Sequence, residues 1–187
     1  VCGGTSKATS AIVHSGFHEQ PGTLKARLGV KSNAMFEDIC KDLEVPFARV
    51  GSLLVASSEE DRKILEFKKK QGAENGIEGL RIIEADELHK MEPHFSGEAV
   101  AALYAPSGGI VGPFELAIAL MENACANGVK LMKDAPVTGI QRAGDRWNVQ
   151  TAKGDIETAC VINAAGVHAD EIASMVGDDT FTINPLR

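Results

Sequence analysis

The sequence predicts a mixed α/β fold, α/β combined with an α+β part, on three observations. Segments of helical periodicity alternate with short apolar strands over most of the chain. Near residue 137 three short strands follow one another, joined by Gly144-Asp145 and Gly154-Asp155, which is the pattern of a β-meander. Finally, the apolar run Cys160-Val161-Ile162 ends in Asn163-Ala164-Ala165-Gly166 ahead of an amphipathic segment with Ile172, Met175 and Val176. That last stretch reads as a buried strand, a tight turn and a helix. Small residues at such a turn let a ligand approach the backbone, and helix N–H groups beyond it can receive an anion. The same residues also serve packing alone in many α/β turns.

Taken in order, residues 1–11 are small and polar and read as a loop, followed by the apolar step Ala11-Ile12-Val13-His14-Ser15-Gly16. Pro21-Gly22 is a turn. Thr23 can cap a helix running to about Leu43, with Leu24, Leu28, Met35, Ile39 and Leu43 near helical spacing. Residues 49–56 form a strand. Ser58 caps a second helix with Glu59, Glu60 and Asp61 in its first turn and Lys68-Lys69-Lys70 in its last, stopped by Gly72 or Gly76. A strand over 80–84 leads to a short helix capped by Asp86 and ended before Pro93. Residues 99–105 form a strand and 106–112 a loop. Pro113 opens the next helix, which carries Phe114, Leu116, Leu120 and Met121 and closes at Asn127-Gly128. Strands are expected over 129–132, 137–142, 146–151 and 156–162, with another starting at Thr182.

The chain's 187 residues suffice for one or two domains, and its net charge of −7 comes with no basic face. Nucleic-acid binding needs clustered Lys and Arg against phosphate, so that class is excluded. No apolar run approaches the length of a membrane span. Cys2, Cys40, Cys125 and Cys160 match no metal or redox spacing and read as thiols of a reducing cytoplasm. Cys40 and Cys125 are expected on apolar helix faces and Cys160 in the buried strand. His18, His89 and His94 have no metal-ligand pattern. The chain starts at Val1 and stops at Arg187 just after an apparent strand start, which reads as a piece of a longer protein.

The runs Gly4 to Gly16 and Pro21 to Leu28 resemble the flavin-proximal segment of FAD-dependent oxidoreductases of the D-amino-acid-oxidase superfamily. They are most similar to the branch of glycerol-3-phosphate dehydrogenases and L-2-hydroxyglutarate oxidases. Gly51 to Ala56, Ala85 to Leu88 with Glu92-Pro93, and the loop Pro106 to Val111 resemble that branch too. Asn163-Ala164-Ala165-Gly166 is similar to the family's second FAD-contacting turn. The family's G-x-G-x-x-G strand turn and ribose-binding acid are missing from these residues, and the resemblance places them upstream of Val1. It implies a partial FAD-binding region over 1–44 (flavin-proximal loop and helix) and a substrate-binding subdomain over 45–106 with a mixed sheet. A second partial FAD-binding region with the meander follows over 107–180, and the start of a substrate-domain strand over 181–187.

The chemistry so implied is flavin dehydrogenation of a small anionic hydroxy substrate, with the hydride going to FAD and the hydroxyl proton to a base. Histidine titrates near neutrality, and the resemblance puts His14 beside the flavin as that base; on sequence alone a lone His in an apolar step is more often a structural residue. Lys25, Arg27, Arg49 and Arg187 are candidate anchors for the anion, Arg187 through its place in the family. Thr5, Ser6 and Ser10 are expected at the flavin edge, Val137 against the adenine through its backbone, and Ala164, Ala165 and Gly166 along the ribityl–pyrophosphate region. Glycerol 3-phosphate is the first substrate expected and L-2-hydroxyglutarate or another 2-hydroxy acid the second; a non-catalytic binding domain is the alternative class. The electron acceptor is left open. The location expected is cytoplasmic, with peripheral membrane contact through other parts of the protein left open. These residues alone are expected to retain little or no FAD.

Overall fold

The computed structural model describes residues 1–185. The chain divides into two compact units, Val1–Asn127 and a second beginning at Gly128. Both combine helices with small antiparallel sheets or strands, as the mixed α/β class requires, and every strand pair is antiparallel.

The first unit is built on a central antiparallel sheet of β3 (Ser52–Ala56), β5 (Ala101–Ala105) and β4 (Arg81–Glu84), in that order, with β5 in the middle. Strand β5 is buried on both faces because its residues are small where helices approach. Ala101, Leu103 and Ala105 meet Leu65 of α2 (Glu59–Glu74) and Phe17 on one face. Ala102 meets Ile83 and Leu88 of α3 (Ala85–Met91) on the other. Burial of each such Leu or Phe contributes roughly 1.5–3 kcal/mol. Helix α2 comes especially near at Gly72, where a Cβ would stand 2.9 Å from Phe17 Cβ. Gly72 therefore lies inside the helix as a contact point, and the helix closes at Asn75 with Gly76 at φ +80°.

A second sheet in this unit orders β1 (Ile12–Val13), β6 (Gly109–Val111) and β2 (Phe47–Ala48). Strand β6 falls where the sequence predicts a loop over 106–112; Val13↔Gly109 and Ala48↔Ile110 pairing draws that loop into a ladder. Helix α1 (Leu24–Asp42) is capped by Thr23, whose hydroxyl accepts from Ala26 N at 3.2 Å. Its buried face is Ala26, Asn33 and Cys40, spaced by seven. Leu24, Leu28 and Met35, expected to share a core face, are exposed. Ser58 caps α2 as expected, but the three lysines lie before its last turn, which carries no basic residue. Glu84 and not Asp86 occupies the cap of α3, placing Asp86 and Glu87 in its first turn. Helix α4 (Pro113–Ala126) opens on Pro113, closes at Asn127 and has no buried residue.

The second unit holds the meander β7 (Val137–Ala143), β8 (Arg146–Thr151) and β9 (Ile156–Thr158). Gly144 at φ +64° makes the tight first hairpin turn, a conformation that costs residues with a Cβ. A 3-10 turn, Gly166–His168, leads into α5 (Ala169–Ser174). One expected strand is not formed and another is cut short. Residues 129–132 are irregular, and β9 stops at Thr158 so that Cys160 to Ile162 lie open, Ile162 at 86 % exposure. Neither stretch has a partner strand among the described residues, and an unpaired strand is not stable by itself. Cys160 is accordingly exposed, and Cys125 is exposed on α4, which buries no residue, against the burial expected of both; Cys40 is buried. No strand forms over 181–185. No helix among the described residues is long and apolar enough to cross a membrane.

Candidate functional site

The segment Ile12 to Gln20 positions the residues of interest on the first unit. Alternation along β1 buries Val13 and turns His14 outward, while Ser15, Gly16 and Phe17 go back into the core. His14 is exposed, and its ring meets that of His18 edge to face at 6.2 Å between centroids. Burial pushes the His18 imidazole below its ordinary pKa, with His14 and Lys68 adding to the fall and Glu19 opposing it. Lys68 Nζ also donates to His18 O at 3.3 Å.

Four cations are candidates for the substrate anion. Lys25 is exposed and pairs with Glu19 at 3.0 Å. Arg27 is exposed beside Gly22, Thr23 and Asn75 in a shallow depression. Arg49 is partly open to solvent, but its guanidinium is already engaged. It donates to Asn33 Oδ1 at 3.0 Å, Asn33 O at 2.8 Å and Ser107 O at 2.7 Å, and its Nε faces Glu37 at 3.5 Å. Arg187 lies outside the described residues.

The stretches expected to meet FAD are open in both units. Thr5 and Ser6 form a 3-10 turn, Thr5–Ala8, and with Ser10 they are exposed, their hydroxyls bonding nothing among the described residues. A Cβ placed on Gly3 or Gly4 would meet no atom within 4 Å. In the second unit Val137 is half-buried at the start of β7. Ala164, Ala165 and Gly166 are exposed. Asn163 shapes that turn, accepting from Ala165 N at 3.2 Å through Oδ1 and donating from Nδ2 to Ala169 O at 2.7 Å. The N–H groups of Ala164 and Gly166 find no acceptor among the described residues. Exposed hydroxyls, free amides and missing Cβ atoms fit the polar edge of a flavin and its ribityl chain. The phosphate-cradling glycine turn is not in this sequence.

Residues that sequence reasoning missed are the side-chain amides Asn33, Gln71 and Asn75, which hold the carbonyls of residues 14–19 from two helices. Two signals could have pointed to them: Asn33 sits seven residues from both Ala26 and Cys40, and Gln71 precedes the contact glycine Gly72. A cavity of about 530 Å³ between β3 and α3, lined by Leu53, Leu88, Phe95, Tyr104, Glu92 and His94, was not foreseen either. No three His, Cys, Asp or Glu side chains gather as metal ligands among the described residues.

The family model described as FAD dependent oxidoreductase matches residues 1–187. The chain is 42 % identical over 183 residues to a glycerol 3-phosphate dehydrogenase of Caloramator mitchellensis, covering 98 % of this chain and 38 % of that protein. It is 31 % identical over 180 residues to the mitochondrial L-2-hydroxyglutarate dehydrogenase of Mus musculus, covering 90 % of this chain and 38 % of the other. The chain thus spans well under half the length of these relatives. Among solved structures it resembles the FAD-bound L-alpha-glycerophosphate oxidase of Mycoplasma pneumoniae with a TM-score of 0.83 at 26 % identity, over 91 % of this chain and 46 % of that one. The glycine oxidase of Geobacillus kaustophilus shares the fold with a TM-score of 0.85 at 22 % identity, over 94 % and 49 % of the two chains. The chain belongs to the family of FAD-dependent oxidoreductases.

Proposed function

We propose that this chain serves an FAD-dependent dehydrogenase that oxidises the secondary hydroxyl of glycerol 3-phosphate to a ketone. The observation that carries this reading is the 42 % identity, sustained over 98 % of the chain, to a protein named glycerol 3-phosphate dehydrogenase. When bound, FAD supplies the acceptor for the hydride that leaves the hydroxyl carbon. His14, exposed on a segment whose carbonyls accept side-chain hydrogen bonds, takes the hydroxyl proton as that hydride leaves. Lys25, Arg27 and Arg187 attract the phosphate. Of the three described candidates, Arg27 has no acceptor among the described residues, and Lys25 is free once it releases Glu19. Thr5, Ser6 and Ser10 offer hydroxyls to the flavin edge, Val137 its backbone to the adenine, and Ala164, Ala165 and Gly166 close backbone approach to the ribityl–pyrophosphate part. Residues 1–44 and 107–180 act on the cofactor side and 45–106 on the substrate side.

A second reading, oxidation of L-2-hydroxyglutarate, is favoured by the 31 % identity to the mouse dehydrogenase over 90 % of the chain. Both substrates pair a hydroxyl with an anion, so the same base and cations serve either. The test is anaerobic bleaching of the flavin in the full-length protein by each compound separately. Bleaching by glycerol 3-phosphate alone is the expected result, and bleaching by L-2-hydroxyglutarate alone replaces the first reading with the second. His14→Ala is expected to lower turnover far more than flavin content; equal loss of both would make His14 structural.

A further inference from the structure

The strand that carries His14 up to the surface is two residues long, and from His14 to Gln20 the chain has no strand partner. A segment with so little ladder is ordinarily mobile, yet its carbonyls are held by side chains. Asn75 Nδ2 donates to Gly16 O at 3.2 Å and Glu19 O at 2.9 Å, and Gln71 Nε2 donates to Phe17 O at 2.9 Å. These bonds fix residues 16–19. The peptide of His14 itself is reached by a different residue, Asn33 of α1, whose Nδ2 donates to His14 O at 3.0 Å.

Asn33 is 6 % exposed, and every polar atom of its side chain is used. The second Nδ2 proton goes to Ser107 O at 2.9 Å, in the loop that enters β6, the strand paired with β1. One amide therefore ties the residue after β1 to the approach of its partner strand. Arg49 determines which way the amide points. Its Nη1 donates to Asn33 Oδ1 and to Ser107 O, and its Nη2 donates to Asn33 O. A flipped amide would aim its NH2 at the guanidinium and a carbonyl oxygen at two carbonyl oxygens, leaving buried groups unpaired. Stacking of Arg49 on the Phe47 ring, 5.2 Å from its centroid, holds the fork in place.

We propose that Asn33 and Arg49 are positioning residues for proton abstraction: Arg49 orients the Asn33 amide, and the amide sets the peptide from which the His14 imidazole projects. The proposal rests on His14 as the base. It moves Arg49 from the anion-binding group to the support of the base, because three of its N–H donors bond Asn33 and Ser107 and its Nε faces Glu37.

The test is a double-mutant cycle in the full-length, flavin-loaded protein, read as the rate of anaerobic flavin reduction by glycerol 3-phosphate, or by L-2-hydroxyglutarate if that compound alone bleaches the flavin. Misplacing a reacting group by about 1 Å costs on the order of 100-fold. Asn33→Ala and Arg49→Lys are each expected to slow reduction by roughly 10- to 100-fold with flavin content kept. Half-saturating substrate should change less than the limiting rate. In a His14→Ala background the same substitutions should add less than about a twofold loss, since residues acting through one group are not additive. Full-sized losses in that background, or none in the single variants, overturn the proposal. So does a higher half-saturating concentration in Arg49→Lys at an unchanged limiting rate, which is the signature of an anion anchor. If Asn33→Ala does not fold, the Arg49→Lys cycle carries the test alone. An unchanged rate in His14→Ala means that the base assignment has failed and the proposal with it; a slow His14→Ala with uncoupled Asn33 overturns positioning only.

Discussion

The His14 and His18 rings meet edge to face, 6.2 Å apart, on opposite ends of a turn with no ladder of its own. A positive charge nearby disfavours protonation of the His18 ring. The His18 pKa is already lowered, by burial first and then by His14 and Lys68. Removing a repelling neighbour must raise it. His14→Ala and Lys68→Met are each expected to shift the His18 ring-proton titration upward in NMR, and a downward or absent shift in both would refute the coupling. Sign follows for stability. A folded-state pKa below the unfolded value favours the neutral ring, so the contribution of His18 is full above about pH 6.5 and is lost as pH falls through the folded pKa.

A second pH dependence lies elsewhere in the same unit. Arg62 of α2 grips Glu84 of β4 through both oxygens, at 2.9 and 2.6 Å, and its Nη2 also reaches Val100 O. The hydrogen bonds from Arg62 hold the Glu84 carboxyl below its ordinary pKa. A depressed carboxylate adds stability above the unfolded pKa and loses it as pH falls through the folded value. Glu84→Gln should therefore lower the melting temperature at pH 7 and lose that effect in acid, below the folded pKa of Glu84. An equal loss under both conditions would mean that the fork acts by shape and not by charge.

Much of the framework is readable in the sequence because it depends on local chemistry. Thr23 and Ser58 caps, the Pro113 opening, the Asn127 closure and the Gly144 hairpin are set by a few neighbouring residues, and each stands where the residue type asks. The errors share a different cause. Residues 129–132 and 160–162 are apolar and strand-like, but a strand exists only when a partner does, and none is among the described residues. Leu24, Leu28 and Met35 share a helix face, yet the smaller residues Ala26, Asn33 and Cys40 face inward, where α1 lies close to the loop it supports. At the site, His14 is legible through resemblance. Asn33 is not, because a buried amide is recognised only when the carbonyls it satisfies, here nineteen and seventy-four residues away, are known.

Two helix glycines that look alike in sequence should respond oppositely. A Cβ on Gly29, in the interior of α1, would meet nothing within 4 Å, whereas one on Gly72, in α2, would meet Phe17 Cβ at 2.9 Å and Leu80 nearer still. Alanine removes the conformational penalty of glycine in a helix, worth roughly 0.5–1 kcal/mol. Gly29→Ala is thus expected to stabilise by about that amount. At Gly72 overpacking costs about 1–3 kcal/mol and outweighs the gain, since Phe17 is fixed by Gln71 and cannot retreat. Gly72→Ala should destabilise in chemical denaturation; stabilisation at both positions would show that α2 can move off the core.

The turn expected along the ribityl–pyrophosphate region has its own titratable latch. His168, following Gly166, hydrogen-bonds Glu171 at 2.9 Å, and that bond raises the imidazole above its ordinary pKa. Asp170 beside it accepts Ile183 N at 2.8 Å and Glu171 N at 3.0 Å, which hold its carboxyl below the usual range. The two groups pull in opposite directions with pH. A raised histidine pKa adds stability below the unfolded value near 6.5 and loses it as pH rises through the folded pKa, whereas the depressed Asp170 adds stability above its unfolded value and loses it in acid. Local order in the helix that follows this turn, over Ala169 to Ala173, should therefore peak between the two titrations, in weakly acidic solution, and loosen on either side. Hydrogen exchange of the Ala169 to Ala173 amides across pH, corrected for intrinsic rates, reads this directly. Glu171→Gln should abolish the loosening on the alkaline side and leave the acid side in place. Asp170→Asn should do the reverse, and loss of both limbs in either variant would mean that the latch is one coupled unit and not two.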